Sequence, residues 1–226
     1  MASILHSKQS IRKKTTASAA LLVALIFAIL IVPLFPVHTH LGIYALSNGS
    51  IFFLSLFAIE KRRRKWFIVA SVILIVLKIY ATIQNDHKID SFIVFLGIVF
   101  FLPMVGILIS QIMSHREVDI SDILDAITAY MLLGFACCSV MVFLAAFYPD
   151  SYNFSFPRYS SANIYYYGFI TFCTVGYGDI IPVQPAAKSL AIFTGMAGQL
   201  YIAVIISVLV GKFIGKINAS QLTAGE

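Results

Sequence analysis

Charged residues are scarce in this sequence. Asp, Glu, Lys and Arg make up 12% of its 226 residues, about half the fraction typical of soluble domains. Three cysteines are present, too few for the disulfide framework of a small secreted protein. Apolar residues account for 60% of the chain, and its mean hydropathy is +0.92. These figures exclude a soluble enzyme, a disordered regulator and a secreted disulfide scaffold, and they indicate a membrane protein.

The apolar residues are collected into six long runs, each able to cross about 30 Å of hydrocarbon as a helix. A seventh apolar segment, residues 160–173, is too short to span. The alternating pattern of β-barrel strands is missing. We therefore predict an all-α membrane protein with six transmembrane helices and one re-entrant helix. The six runs are residues 17–36, 41–59, 66–83, 91–113, 124–148 and 188–215.

The formal net charge of +6 comes from basic residues between the predicted spans, so we expect no nucleic-acid partner. With a cytoplasmic N-terminus, twelve Lys and Arg residues lie on the cytoplasmic side and three outside. This bias predicts a multi-pass protein of the plasma membrane with both termini in the cytoplasm. Residues 61–65 are interpreted as a topology anchor, with anionic lipid headgroups as the alternative. The twelve are Lys8, Arg12, Lys13, Lys14, Lys61, Arg62, Arg63, Arg64, Lys65, Arg116, Lys212 and Lys216.

A polar motif follows the short apolar segment: residues 174–179 read Thr-Val-Gly-Tyr-Gly-Asp. Backbone that is not helical is tolerated at membrane depth only where it is buried in protein or lines a water-filled cavity. Glycine adopts backbone angles that other residues avoid. A cation loses its water only where other oxygen ligands replace it. Such strands around one axis would supply rings of carbonyl oxygens, and the threonine hydroxyl a further ring.

In these residues the chain resembles the potassium channel superfamily, whose selectivity filter has the same sequence as residues 174–178. The resemblance covers roughly residues 118–215 and implies a homotetrameric pore in which K+ is the permeant ion. It implies no cofactor, and we see no constellation of catalytic residues, so we expect no enzyme activity. It implies K+ coordination by the first four filter residues and completion of the filter by the fifth: Thr174, Val175, Gly176, Tyr177 and Gly178.

The resemblance also assigns supporting roles around the filter. Thr171 would stand at the end of the pore helix. Tyr166 and Tyr167 would form part of an aromatic cuff around Tyr177, and the alternative for these tyrosines is an interfacial aromatic belt. Asp179 would make the outer mouth electronegative and anchor the filter to Tyr166.

The sixth run contains a glycine where this superfamily commonly has its inner-helix hinge. Gly198 lies nineteen residues after Asp179 and is our hinge candidate, although small residues in membrane helices also serve close packing. Gln199 would either bond a neighbouring helix or face an aqueous cavity. We expect the three cysteines to behave as buried small apolar residues: Cys137, Cys138 and Cys173.

The fourth run, residues 91–113, contains no Lys or Arg. Voltage sensing needs several charges per subunit, so we expect that this helix does not gate the channel by voltage. Lys78, in the third run, would extend toward the membrane surface or pair with Asp86 or Asp90. His38 and His40 admit a metal or proton sensor, although two histidines have little specificity.

The predicted organisation is a basic cytoplasmic segment, a four-helix membrane domain, an amphipathic cytoplasmic linker, a pore domain and a short tail. The acidic residues of the linker would otherwise be ordinary solvated charges. The function expected is a potassium-selective channel of bacterial type, embedded in lipid. The alternatives are a potassium uptake transporter subunit, a less selective cation channel and a non-conducting regulatory subunit. The gating stimulus and any regulatory protein partner are left open. The five segments are residues 1–16, 17–113, 114–123, 124–215 and 216–226.

Overall fold

The computed structural model describes residues 2–30, 51, 61–84, 87–114, 118–153 and 161–224. These residues are almost entirely helical, apart from one short two-stranded sheet. A 3-10 turn, Pro149–Ser151, leads into strand β1, Tyr152–Asn153, which pairs antiparallel with β2, Ile181–Pro182. The helices are α1 Ala2–Leu30, α2 Lys61–Gln84, α3 His87–Leu96, α4 Ile98–Ser114, α5 Ile120–Phe147, α6 Ser161–Phe172 and α7 Pro185–Ala224.

Three helical stretches among the described residues are long and apolar enough to cross a membrane: Lys88–Ser114, Ile120–Phe147 and Pro185–Gly215. They coincide with the predicted fourth, fifth and sixth spans. Helix α2 contains the predicted third span, and the shorter apolar stretch Ser18–Leu30 overlaps the first. The second span lies outside the described residues except for Ile51, as do His38 and His40. Six spans therefore stay a prediction.

The predicted fourth span is divided into two helices at Gly97. The hydrogen-bond ladder nevertheless continues through the division. The Gly97 amide donates to Ile93 O at 3.1 Å, and the Phe101 amide donates to Gly97 O at 2.9 Å. Glycine weakens a helix, and Pro103 lies inside α4, where it removes a helical donor. We expected one uninterrupted helix, and the weak helix propensity of Gly97 accounts for the division.

The N-terminus of α5 differs from the amphipathic surface linker expected over residues 114–123. Helix α5 begins at Ile120, so the end of that segment is the first turn of the long helix. The Asp119 carboxylate caps this turn, and the Asp122 carboxylate accepts from the Asp119 amide at 3.1 Å. Asp122 and Asp125 are buried, so they are not solvated charges. The side chains of Asp119, Asp122 and Asp125 take part in hydrogen bonding at the helix terminus or between helices.

The core forms around α5, which packs against α1, α3, α4, α6 and α7. Buried apolar side chains of this core lie on α5 itself and on α1, α4 and α7, and they include Leu21, Phe100, Met104, Leu108, Leu132, Phe135 and Ile205. Much of α7, in contrast, is uncovered, since only 17% of its most apolar window is buried. The exposed apolar residues there include Ile192, Phe193, Met196, Leu200 and Val204. This surface is available to lipid or to another chain.

Candidate functional site

The motif at residues 174–179 lies between a short helix and a long one. Helix α6 has 12 residues and is about 18 Å long at about 1.5 Å per residue. It therefore cannot cross a hydrocarbon layer of about 30 Å. The pairing of β1 with β2 joins the chain before α6 to the chain after the motif. A further bond from the Val183 amide to Ser151 O, 2.8 Å long, extends this tie.

Carbonyl groups at the end of α6 hold the start of the motif. The Val175 amide donates to Ile170 O at 2.8 Å, and the Gly176 amide donates to the same oxygen at 3.3 Å. The Thr174 amide donates to Thr171 O at 3.0 Å. These bonds satisfy terminal helix carbonyls that would otherwise lack partners. Thr171 thus supports the motif through its backbone oxygen, at the helix end where we expected it.

The sign of φ alternates along the backbone of the motif. Thr174, Gly176 and Gly178 have φ values of 59°, 57° and 79°, whereas φ is not positive at Val175 and Tyr177. In an ordinary strand successive residues face opposite sides. A regular alternation of left-handed and right-handed residues instead turns successive peptide groups toward one side. The motif is thus able to present a row of carbonyl oxygens.

Thr174 is strained, because it is a β-branched residue in the left-handed region. A residue held in such a sparsely populated region costs about 1–3 kcal/mol and persists only where its surroundings fix it. Two helices hold Thr174 in this structure. Helix α6 does so through the backbone hydrogen bonds at its end, and helix α7 does so through a side chain. Strain of this kind is typical of functional sites.

The predicted aromatic support divides into two different contacts. The Asp179 carboxylate interacts with the Tyr166 hydroxyl, and this interaction, with smaller contributions from desolvation and from the charges of Asp179 and Tyr177, raises the pKa of Tyr166. Tyr167 is buried and packs on Tyr152, with ring centroids 5.3 Å apart. Within one chain Tyr166 therefore interacts with Asp179, whereas Tyr167 packs α6 against strand β1.

Helix α7 approaches the end of α6 closely at Gly198. A Cβ atom added to Gly198 would lie 2.1 Å from Phe172 O, much closer than any real Cβ contact. The glycine is therefore required for packing, whatever bending it also permits. This close approach places Gln199 beside the motif. Its Nε2 donates to Thr174 Oγ1 at 2.9 Å.

The sequence suggested two roles for Gln199, a bond to a neighbouring helix or exposure to an aqueous cavity. Neither of them is a bond to Thr174. Gln199 is polar within an apolar run, which marked it as unusual, but its spacing indicates nothing about contact with the motif. Gln199 is exposed in the single chain, so its amide lies on the uncovered side of α7. The structure therefore joins a residue of α7 to the first residue of the motif.

We expected all three cysteines to be buried, and one of them is exposed. Cys137 and Cys138 are buried in α5, but Cys173 is exposed. The Tyr130 hydroxyl donates to Cys173 Sγ at 3.7 Å. Cys173 is exposed because it follows the last residue of α6, next to the uncovered motif. No group of three His, Cys, Asp or Glu residues in the described ranges is arranged to hold a metal ion.

Two lysines far from the motif have defined partners. Lys78 Nζ lies 2.5 Å from Asp90 Oδ1, with the two side chains 13% and 30% exposed. Of the alternatives for Lys78, pairing with Asp90 is observed, and Asp86 lies outside the described residues. Lys212 Nζ donates to Ile112 O at 2.5 Å and to Met113 O at 3.1 Å. A cation at the C-terminal carbonyls of a helix is favourable, and this contact joins α7 to α4.

The described residues can now be compared with known proteins. Residues 135–214 match the sequence profile of a family described as "Ion channel". The chain is also 32% identical over 82 residues to "Two pore potassium channel c" from Oryza sativa subsp. japonica. That alignment covers 36% of this chain and 17% of the relative, so most of the relative has no counterpart in the match. No solved structure matches the chain significantly. Together, the profile and the relative show that part of this chain is similar to ion channels, and the apolar helices support a membrane protein.

Proposed function

We propose that this protein is a potassium-selective channel that conducts K+ passively through residues 174–178. The observation that carries the proposal is the alternating hand of the backbone at Thr174, Gly176 and Gly178. These residues follow a helix too short to span and precede a helix long enough to do so. A row of oxygens in that place has the chemistry needed to replace the water of a cation.

The proposed mechanism depends on oxygen ligands rather than on a fixed charge. K+ leaves water, where it is well solvated, and enters successive rings of carbonyl oxygens from residues 174–177. The Thr174 hydroxyl supplies the innermost ring. Repulsion between neighbouring ions offsets tight binding at each ring, so that ions pass quickly from site to site. Asp179 gives the outer mouth a negative potential, and Tyr166 holds it through the interaction described above.

We propose that four copies surround one pore. One chain contributes a single row of carbonyls, and a closed ring of ligands needs several rows. Residues 174–179 are exposed in the single chain. Irregular backbone at membrane depth must be covered by protein or line an aqueous path. The exposed apolar side of α7 is a surface through which neighbouring copies would provide that cover.

The proposed membrane arrangement comes from the sequence. We propose six spans in the plasma membrane, with both termini in the cytoplasm and the basic residues 61–65 near lipid headgroups. The fourth span has no Lys or Arg among residues 91–113. Moving one charge across the membrane contributes about 2.3 kcal/mol per 100 mV. Gating by this span through voltage is therefore not part of the proposal.

Recording from purified protein in liposomes tests the proposal. With unequal K+ and Na+ on the two sides, a current that reverses at the K+ equilibrium potential is expected. Equal Na+ current would identify a less selective channel, uphill K+ uptake a transporter subunit, and no current a non-conducting subunit. Each of these three results contradicts the proposal.

Substitutions in the motif test the assignment of the site. Gly178→Ala places a side chain at φ 79°, and Gly176→Asp does so at φ 57°, where side chains are strained. Both variants should insert in the membrane but lose K+ flux. Gly211→Ala is the control, because a Cβ there would meet no atom within 4 Å. Unchanged flux in either motif variant would contradict the assignment.

A further inference from the structure

The side chain of Gln199 makes a contact with the motif that neither the family profile nor the channel mechanism assigns. Its Nε2 donates to Thr174 Oγ1 at 2.9 Å. The two residues are 25 positions apart and lie on different structural elements. Thr174 belongs to the loop after α6, and Gln199 belongs to α7. The bond is therefore a tertiary contact between the inner helix and the filter.

The packing of α7 explains why Gln199 reaches the filter. At Gly198 the helix touches the last residue of α6, since an added Cβ would lie 2.1 Å from Phe172 O. One residue later, the Gln199 side chain extends from the helix at its closest approach to the loop. A larger residue at 198 would separate the two elements. The contact thus depends on a glycine that is required sterically.

The chemistry of the Thr174 hydroxyl determines what this bond does. A hydroxyl oxygen has two lone pairs and one proton. Accepting the Gln199 N–H occupies one lone pair and limits rotation of the hydroxyl. The other lone pair stays available to a cation. Without the donor, the hydroxyl is free to rotate and to point its proton toward the cation path, where it would repel K+.

We propose that Gln199 is a positioning residue for the innermost cation site. It acts through Thr174, by fixing the hydroxyl whose oxygen supplies that ring, and it also restrains a residue held at φ 59°. This inference rests on the proposed function, because it concerns the affinity of a site in the conducting filter. It goes further by assigning a role in ion affinity to a residue outside the motif.

Block by Ba2+ from the cytoplasmic side is a suitable measurement. Ba2+ is close to K+ in size and has twice the charge, so it binds the same oxygens more tightly. Gln199→Leu removes the amide and keeps a side chain of similar length. We expect it to weaken Ba2+ block by roughly tenfold, since four hydroxyls lose a hydrogen bond. Gly211→Ala, on the same helix at a position where an added Cβ would meet no atom within 4 Å, is the control and should leave block unchanged.

A second variant keeps the test valid if Gln199→Leu gives no current. Gln199→Asn retains an amide on α7 but is one methylene too short to make the 2.9 Å contact. It should weaken Ba2+ block in the same direction. Block equal to that of the wild type in every conducting variant at position 199 would overturn the inference.

A double-mutant cycle separates positioning from a general effect on structure. Thr174→Ser keeps the hydroxyl but removes the methyl group that restricts its rotation. With Gln199 present, this change should weaken block by less than about threefold, because the amide still holds the hydroxyl. In the Gln199→Leu background the same change should weaken block by more than about tenfold. Equal factors in both backgrounds would mean that the two residues act independently, which overturns the inference.

The outcomes also separate this inference from the proposed function. A wild-type protein that conducts no K+ overturns the proposed function, and the inference fails with it. A wild-type protein that conducts K+ and shows equal Ba2+ block in the wild-type and conducting variants overturns the inference alone. Weaker block in the variants, with non-multiplicative effects in the cycle, supports both.

Discussion

Substitution of Gly198 by alanine distinguishes a packing role from a hinge role. As a hinge, Gly198 would serve only by its flexibility, and alanine would then stabilise α7 by about 0.5–1 kcal/mol. In the structure, however, the new Cβ would lie 2.1 Å from Phe172 O. Because that neighbour is a backbone atom, it cannot turn aside as a flexible side chain would. The steric effect therefore opposes the gain in helix stability.

The magnitude follows from the distance. Real Cβ contacts essentially never fall below 3.0 Å, so α7 and the end of α6 must separate by about 1 Å. Overpacking of this kind costs about 1–3 kcal/mol, more than the gain of about 0.5–1 kcal/mol from helix stability. The difference of these two ranges is a net loss between about 0 and 2.5 kcal/mol, centred near 1 kcal/mol. For a chain of this length, a loss of 1 kcal/mol lowers the unfolding midpoint by about 2–4 °C.

Two other glycines of the same helix are matched controls. A Cβ at Gly195 would make an ordinary contact of 3.7 Å with Thr171 O, and one at Gly211 would meet nothing within 4 Å. Alanine at either position should leave the thermal unfolding midpoint of the detergent-solubilised protein unchanged or slightly raised. If Gly198→Ala raises the midpoint as much as these controls do, the packing argument is refuted.

Two further substitutions test contacts away from α7. Tyr166→Phe removes the hydroxyl that interacts with Asp179, so K+ current should decline faster during sustained recording than in the wild type. Because the interaction with Asp179 raises the pKa of Tyr166, the wild-type protein should keep its slower decline at alkaline pH. Equal rates at neutral pH would refute the role. Lys78→Met leaves Asp90, 30% exposed, without its cation and should lower the free energy of unfolding by about 1 kcal/mol. Adding Asp90→Asn removes the unpaired charge, so thermal unfolding of the double variant should show that most of the loss is restored.

The features that the sequence predicted well depend on local properties of the chain. The length and composition of an apolar run decide whether it is able to span a membrane, and three of the predicted runs coincide with helical stretches long and apolar enough to do so. The short helix before the motif follows from the same reasoning. The glycines at 176 and 178 are at positive φ, as residues without a Cβ permit.

The features that were missed depend on which surfaces meet. Asp122 and Asp125 look like solvated charges in the linear pattern, yet both are buried because α5 continues through this segment and packs on its neighbours. A hydrogen bond from Ser18 Oγ to Asp125 Oδ1, 2.5 Å long, joins residues 107 positions apart. No periodicity in the sequence indicates a contact over that separation.

The sequence by itself determined the class of the protein, the span-length helices and the position of the motif, because hydropathy and glycine content act within a few residues. Only the tertiary structure decided that Gly198 is needed for packing, that Gln199 bonds Thr174 and that Lys78 pairs with Asp90. Each of these contacts requires two segments to approach with a particular rotation and depth. That geometry results from the packing of whole helices, which a linear pattern does not contain.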